Sequence, residues 1–259
     1  MLRAGLRLAV TLLTAVPLPG RGAEPAVPSR QAAAAAMYWA PAVGLAIGAV
    51  SAGVLLLARL GHAGPLLAAA LAVTVGAVLT RALHLDGLAD FADGLGSGRP
   101  ADQALEIMKR SDIGPFGVVT LVLTLLIQVA ALARADALGR GPAAVLTAAV
   151  TARLAMTLAC RSGVPAARPA GLGSLVAGTV RPGPAAALTA VVLAAAAAGG
   201  LAPGTAGRWV FVAAAGAGLA VSAGVTALAV RRLGGITGDV LGAVAEITAT
   251  VCLVVTALS

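Results

Sequence analysis

Long apolar segments, separated by short clusters of Gly, Pro and Arg, dominate the chain and predict its elements. Seven segments are each about twenty residues long, the length with which a helix crosses a bilayer core. They run on too long and too continuously for the alternating strands of a membrane barrel. We therefore expect an all-α, polytopic integral membrane helical bundle. The predicted spans are 36–58, 65–83, 115–133, 141–160, 183–200, 208–230 and 238–258.

A shorter apolar stretch, residues 2–16, precedes these spans and ends at Pro17-Leu18-Pro19. Arg3 and Arg7 in front of an apolar stretch also fit a signal peptide, but no clear small-x-small cleavage site follows. We favour a short, retained, membrane-associated helix that lies in the interface or re-enters the bilayer. Residues 1–259 are expected to form a single membrane-embedded domain.

Composition supports a membrane protein and argues against nucleic-acid binding. Hydrophobic residues make up 59% of the chain, charged residues only 11%, and the mean hydropathy is +0.99, whereas soluble domains carry about a quarter charged residues. The net charge of +8 comes from basic residues that lie between apolar spans. We therefore interpret it as a sign of membrane topology and not of nucleic-acid binding. Cys160 and Cys252 lie in apolar segments without metal-ligand spacing, and we expect no disulfide.

The basic residues also predict the orientation, because Lys and Arg accumulate in cytoplasmic loops. With the N-terminus in the cytoplasm, thirteen basic residues lie inside and four outside, while Arg153 remains within a span. The inside set is Arg3, Arg7, Arg21, Arg30, Arg81, Arg99, Lys109, Arg110, Arg161, Arg168, Arg181, Arg231 and Arg232. The outside set is Arg59, Arg134, Arg140 and Arg208. The polar loops therefore gather at the cytoplasmic face, and Ser259 is expected near the opposite face.

Three aspartates stand out in the first cytoplasmic loop. Asp86, Asp90 and Asp93 are spaced i, i+4, i+7, so on a helix they share one stripe, with Ser97 below them. Like charges on one stripe destabilise a helix, and a divalent cation would compensate them. The stripe predicts a Mg²⁺ or Mn²⁺ site with all three aspartates as ligands. The alternative is an exposed acidic helix face.

The segment that follows predicts a short helix from Pro100 to about Arg110. Asp102, Glu106 and Lys109 recur on it at helical spacing, which is also typical of an amphipathic surface helix. Lys109 is the only lysine in the chain, and its compact ammonium suits a phosphate. A catalytic role and a surface pair with Glu106 both remain open for it.

Arginines and glycines in the later segments suggest phosphate binding. A guanidinium within a span, as at Arg153, is costly and usually has an ionic or functional partner. Gly171 and Gly173 follow Arg168 and expose backbone N–H groups beside it. A Gly- and Pro-rich loop is also the ordinary way to join two helices.

The last polar loop, residues 231–239, leads into a helix N-terminus, which favours anions. Gly235 and Thr237 are candidate substrate-binding residues, and Asp239 is a candidate member of the aspartate site. The alternative for Asp239 is a simple cap of the last helix. Glu246 lies two turns further into the membrane, where it binds substrate or acts as a proton-carrying or packing residue.

Taken together, these segments resemble the adenosylcobinamide-GDP ribazoletransferase (cobalamin synthase) family. The resemblance runs almost end to end, and the segment from Leu83 to Gly96 carries its most specific signature. Two positions depart from the family pattern, Ala15 and the order Arg110-Ser111-Asp112. The matching segments are 13–17, 38–44 with Gly48, 83–96, 104–109, 113–114, 116–117, 167–169, 171–173 and 234–239.

The resemblance implies a Mg²⁺-dependent phosphotransferase of the bacterial cytoplasmic membrane, with its active site facing the cytoplasm. Its substrates would be adenosylcobinamide-GDP and α-ribazole or its 5′-phosphate, and GMP would be released. Asp86, Asp90 and Asp93 would hold Mg²⁺, while Lys109, Arg153 and Arg168 would bind phosphate. His84 would either relay a proton or make a hydrogen bond at the helix start. A homo-oligomer, or association with other corrinoid-pathway enzymes, is compatible with this interpretation.

Two other classes remain as alternatives. A proton-coupled secondary transporter could use Glu246, although it would not need three aspartates at the cytoplasmic edge, and no inverted repeat is evident. A non-catalytic membrane scaffold would leave the aspartate stripe unexplained. The stripe is also analogous to the acidic motif of CDP-alcohol phosphotransferases, although the spacing differs.

Overall fold

The computed structural model describes residues 2–17, 28–199 and 208–258, which form an all-helical bundle. This confirms the predicted fold class. Arg21, Ser259 and the last residue of the predicted span 183–200 lie outside the described residues. The helices are α1 (Leu2–Leu13), α2 (Arg30–Leu60), α3 (Pro65–Leu79), α4 (Leu83–Gly96), α5 (Ala101–Ile107), α6 (Pro115–Ala137), α7 (Gly141–Ala159), α8 (Leu172–Val176), α9 (Pro182–Gly199), α10 (Arg208–Leu233) and α11 (Gly238–Leu258).

Six helices in the described part of the chain are long and apolar enough to cross a membrane: α2, α6, α7, α9, α10 and α11. They confirm six of the seven predicted spans, with small changes at the ends. Most of the N-terminal stretch 2–16 is also helical, as α1 (Leu2–Leu13), which packs along α2, where Gly5 lies against Ala35.

The predicted span 65–83 is shorter than expected. Helix α3 has only 15 residues, or about 22 Å at 1.5 Å per residue, against a bilayer core of about 30 Å. Arg81 and Ala82 take left-handed backbone conformations, with φ of 53° and 55°, which end the helix. The chain then turns by 88° into α4. A seventh span results only if α3 and the bent α4 are counted together.

Small residues allow the spanning helices to approach closely, as is typical of membrane bundles. Gly44 of α2 lies against the backbone of α7, where an added Cβ would be 2.5 Å from the Ala149 carbonyl oxygen. Helix α11 contacts α4, α6, α7 and α10. This central position lets the first turn of α11 meet α4.

The polar segments gather at one end of the bundle, as predicted. Arg30, at the start of α2, donates hydrogen bonds to the Ser174 and Ala177 carbonyls at 3.0 and 2.7 Å. The loop after α7 pairs with the loop before α11. At the opposite end, Arg59 forms an ion pair with Asp136 at 3.2 Å. We call these the Arg30 end and the Arg59 end.

Candidate functional site

The start of α4 packs directly on the start of α11 through two glycines. A Cβ at Gly87 would lie 2.8 Å from the Asp239 Cα, and a Cβ at Gly242 would lie 2.9 Å from the His84 carbonyl oxygen. The two backbones can approach this closely only because neither glycine carries a side chain. This contact brings the aspartates of α4 to the first turn of α11.

Three carboxylates interact electrostatically where these helices touch, and we call Asp86, Asp90 and Asp239 the carboxylate cluster. Asp86 is exposed, while Asp90 and Asp239 are half-buried. Burial and the negative charges of Asp86, Asp239 and Asp93 raise the pKa of Asp90 to about 7, and the positive charge of Arg168 opposes this. Asp239 interacts electrostatically with Asp86 and Asp90 of the α4 stripe, while its membership of the same functional site stays a prediction. The cluster carries more negative charge than its surroundings neutralise.

Asp93, the third aspartate of the stripe, is engaged with α6. Its two carboxylate oxygens accept hydrogen bonds from the Gly114 and Gly117 backbone N–H groups, at 2.8 and 2.9 Å. These N–H groups belong to the first turn of α6, which has no partners within the helix for them. The side chain is buried, so Asp93 caps α6. Its role as a metal ligand stays a prediction.

The donor set of the cluster fits a hard divalent cation. Mg²⁺ prefers oxygen ligands, keeps several waters, and is usually held by one or two carboxylates together with substrate phosphates. Burial and the repulsion between carboxylates raise the pKa of Asp90, and such a cation would stabilise its charged form against both. Among the described residues no three His, Cys, Asp or Glu side chains converge on one point. Asp86 and Asp90, one helical turn apart, are the best-placed pair.

Arg168 is the cation of this site. Its Nη1 lies 3.9 Å from Asp239 Oδ2, and its Nη2 donates to the Leu105 carbonyl of α5. Its Nε is buried and has no hydrogen-bond partner in the described chain. A guanidinium with an unused donor, beside carboxylates, is suited to a phosphate oxygen.

The glycines predicted to expose N–H groups are mainly packing positions. A Cβ at Gly235 would lie 2.5 Å from the Pro165 carbonyl oxygen, and one at Gly173 would collide with the Ile236 carbonyl. They let the Arg168 loop pair with the loop before α11, where Ala167 N–H donates to the Ile236 carbonyl at 3.0 Å. Gly171 is exposed and has a left-handed φ of 94°.

Thr237 caps α11, because its hydroxyl accepts the Val240 N–H at 3.2 Å and donates to Asp239 Oδ2 at 3.1 Å. Asp239 therefore lies in the first turn of α11, where a negative charge is favourable. It also interacts electrostatically with the other two members of the cluster, Asp86 and Asp90.

Two predicted residues make local contacts at the edge of the site. Lys109 is exposed and pairs with Glu106 at 2.5 Å, three residues earlier. Ser97 donates to the Gly94 carbonyl at 2.7 Å and accepts from the Arg99 N–H at 3.2 Å, at the end of α4. Both bonds are those of an ordinary surface turn, and neither residue contacts the cluster in this conformation.

Three further predicted residues form a separate, deeper group. His84 and Arg153 are buried, and Arg153 Nη2 lies 3.4 Å from His84 Nδ1. A guanidinium can only donate, so Nδ1 must be the accepting nitrogen. Glu246 accepts a hydrogen bond from Gln128 at 2.9 Å. His84 therefore makes a structural hydrogen bond at the start of α4.

The sequence interpretation missed some partners of these residues. Gln128 is a polar residue in the apolar α6, a signal that was available. The backbone N–H groups of Gly114 and Gly117 and the Leu105 carbonyl carry no such signal, because any residue type supplies them. The sequence interpretation used Arg30 only in the count of cytoplasmic basic residues and did not predict its hydrogen bonds to Ser174 and Ala177.

Comparison with known proteins agrees with this description. The model of the cobalamin-5-phosphate synthase family matches residues 5–257. A protein of Frankia casuarinae named adenosylcobinamide-GDP ribazoletransferase is 46% identical, over 98% of this chain and 94% of its own length. Proteins of the same name from Bradyrhizobium diazoefficiens and Chlorobium phaeobacteroides are 40% and 36% identical, over 98% and 94% of this chain and 93% of their own lengths in both cases.

No solved structure matches the chain. The transporter, the scaffold and the CDP-alcohol phosphotransferase alternatives are not favoured, because the family match covers nearly every described helix. The chain therefore belongs to the cobalamin-5-phosphate synthase family.

Proposed function

We propose that this protein joins adenosylcobinamide-GDP to α-ribazole or its 5′-phosphate and releases GMP, the step that completes the nucleotide loop of cobalamin. Family membership supports the reaction. The observation that carries the assignment of the site is the electrostatic interaction of Asp90 with Asp86 and Asp239, beside Arg168.

The reaction is a phosphoryl transfer. A ribose hydroxyl of α-ribazole attacks the phosphorus attached to cobinamide and forms a new P–O bond. The P–O bond of the pyrophosphate that links this phosphorus to GMP breaks, and GMP leaves with the bridging oxygen. Catalysis of such reactions consists mainly of positioning and neutralising charge on the phosphate oxygens.

Each residue at the site has a role that follows from its surroundings. Arg168 would bind a phosphate oxygen through its partly exposed guanidinium side chain. Asp86 and Asp90 would hold Mg²⁺, which would neutralise the pyrophosphate charge when bound. Asp239, held by Thr237 and Arg168, is placed to accept the proton of the attacking hydroxyl.

We place this site at the cytoplasmic face of the bacterial inner membrane. The Arg30 end contains the cluster and most of the basic residues, in agreement with the positive-inside rule. Both substrates are polar, so they would reach the cluster from the aqueous side of the membrane. Self-association or contact with other corrinoid-pathway enzymes would then occur on the same membrane.

The decisive experiment measures GMP release by the purified protein in detergent, with adenosylcobinamide-GDP and α-ribazole, with and without Mg²⁺. We expect Mg²⁺-dependent release that falls by about a hundredfold or more in Asp90→Asn and in Asp239→Asn. The double variant should lose less than the product of the two single losses, because the two residues act as one unit. Asp102→Asn, an exposed acid on α5, is the matched control and should keep its rate.

Absence of GMP release by the native protein would overturn the proposed reaction. Full activity in both single variants would leave the reaction in place and remove the carboxylate cluster from it. Independent, multiplicative losses would mean that Asp239 serves only as part of the α11 cap.

A further inference from the structure

A cavity lies between the helices of the bundle, separate from the carboxylate cluster. It has a volume of about 80 Å³ and is bounded by α2, α3, α4, α6, α7 and α11. Apolar side chains form most of its wall, but five polar ones also line it. These are Ser51, Thr80, Gln128, Arg153 and Glu246.

Two opposite charges face this cavity without touching. Arg153 is 6% exposed, and its Nε is buried with no hydrogen-bond partner in the described chain. Glu246 is held by Gln128 and attracts Arg153 electrostatically. No direct salt bridge joins the two in the described conformation. Charges within a membrane-embedded bundle are costly unless something satisfies them.

We propose that the cavity binds a small cluster of water molecules that bridges Arg153 to Glu246, and that this bridged pair positions the carboxylate cluster. A water molecule occupies about 30 Å³ in the liquid and needs two to four polar partners. The cavity offers room for more than one water and five polar side chains around them. A bridging water would accept a hydrogen bond from the Arg153 guanidinium and donate one to Glu246.

The bridging waters and the polar side chains around them form a network. This network contacts α4, α6 and α11, the three helices that hold the site. Through Arg153 it contacts His84, two residues before Asp86 on α4. Glu246 lies seven residues after Asp239 on the same helix, α11. Gln128 belongs to α6, whose first turn binds Asp93. A change in the separation of Arg153 and Glu246 would therefore shift α4 against α11 and move Asp90 relative to Asp239.

This proposal assigns Arg153 and Glu246 a different role from substrate binding, and the two roles predict different kinetics. A phosphate ligand lost from Arg153 would raise the KM for adenosylcobinamide-GDP, and removing Glu246 as well would restore nothing. A positioning pair instead lowers kcat when either charge is removed, because a buried charge is left alone. Removing both charges together relieves that penalty.

The experiment compares Arg153→Gln, Glu246→Gln, the double variant and Arg153→Lys, by GMP release and by melting in detergent. We expect each single neutral variant to lose about tenfold or more in kcat, with KM changed by about twofold at most. The double variant should melt at a higher temperature than either single variant and recover part of kcat. Arg153→Lys should recover more kcat than Arg153→Gln.

The control is the ion pair at the Arg59 end. Arg59→Gln leaves the buried Asp136 carboxylate without its cation, and Asp136→Asn removes that carboxylate. Both changes are far from the site, so the melting temperature should fall while kcat stays unchanged. A raised KM in Arg153→Gln, or a double variant no better than the worse single one, would overturn the positioning role.

The water itself is tested by a cryo-electron microscopy map of sufficient resolution to show ordered solvent. Density within hydrogen-bond distance of both the Arg153 guanidinium and the Glu246 carboxylate would support the proposal, and a cavity without such density would overturn it. The kinetic part rests on the proposed function. If the native protein released no GMP, that function would fail, while the melting comparison and the map would still decide this proposal.

Discussion

At the scale of single residues, Asp90 and Asp93 are one turn apart on α4 but are expected to respond differently to the same substitution. Asp93→Asn removes an acceptor from the first turn of α6, since an amide can serve only one of the two N–H groups. We expect a loss of about 1–2 kcal/mol in stability. Asp90→Asn removes a repelled charge and should melt at the native temperature or above it.

Thermal melting in detergent without Mg²⁺ separates the two variants, with Asp102→Asn as the control for loss of one acidic charge. Equal destabilisation by Asp90→Asn and Asp93→Asn would contradict the assignment of Asp93 as the cap of α6. Asp93→Ala, which removes both accepting oxygens, should lose more stability than Asp93→Asn if capping is the main role.

The raised pKa of Asp90 predicts a pH-dependent response to Mg²⁺. Its pKa of about 7 lies above the ordinary 3.8, so the folded, metal-free protein holds a proton that the unfolded chain releases. Stability from this group is therefore present at low pH and falls as the pH rises from about 4 to about 7. Mg²⁺ competes with that proton, so it should raise the melting temperature more at pH 8 than at pH 5.5.

The measurement is the Mg²⁺-induced shift in melting temperature at the two pH values. Asp90→Asn should remove most of the difference between them, and Asp102→Asn should retain it. An equal Mg²⁺ shift at both pH values in the native protein would argue against Asp90 as a ligand.

At the scale of elements, the contact between α4 and α11 decides how the site is assembled. In Gly87→Ala the added methyl would meet the Asp239 backbone, at 2.8 Å from its Cα. Backbone cannot move aside as a flexible side chain can, so α4 must shift. Misplacement by about 1 Å can cost a hundredfold in rate, and we expect GMP release to fall by about that factor.

The matched control is Gly53→Ala on α2, where an added Cβ meets nothing within 4 Å. It should keep its activity and gain up to about 1 kcal/mol from the better helix propensity of alanine. If Gly87→Ala behaved like Gly53→Ala, the close packing of α4 on α11 would not be needed for activity.

The elements also show what the sequence could predict. The i, i+4, i+7 spacing of Asp86, Asp90 and Asp93 predicted a shared stripe on a helix, and α4 confirms that helix. Spacing within one helix says nothing about what that helix meets, so the capping of α6 by Asp93 was not foreseen. The end of α3 was missed because Arg81 and Ala82 adopt left-handed conformations that neither residue type signals.

At the scale of the whole molecule, hydropathy was sufficient to predict the helical bundle but not the contacts between its helices. Length and apolarity identified six spanning helices, because lipid imposes both on any helix that crosses it. The grouping of Arg153 with His84, and of Asp239 with Asp90, depends on pairs distant in sequence. Such pairs follow from packing, which leaves no local pattern in the chain.

The orientation of the whole bundle gives the last prediction. The Arg30 end holds the carboxylate cluster, and the positive-inside rule places it in the cytoplasm.

Cys160 and Cys252 are buried, and replacing both with Ala gives a background for single-cysteine labelling. Arg99 is exposed just beyond α4, and Gly64 lies in open space at the other end, between α2 and α3. In intact cells, an impermeant maleimide should label Gly64→Cys, and Arg99→Cys only after permeabilisation. The reverse pattern would invert the topology and place the carboxylate cluster on the outer face of the membrane, and labelling of both in intact cells would indicate dual insertion.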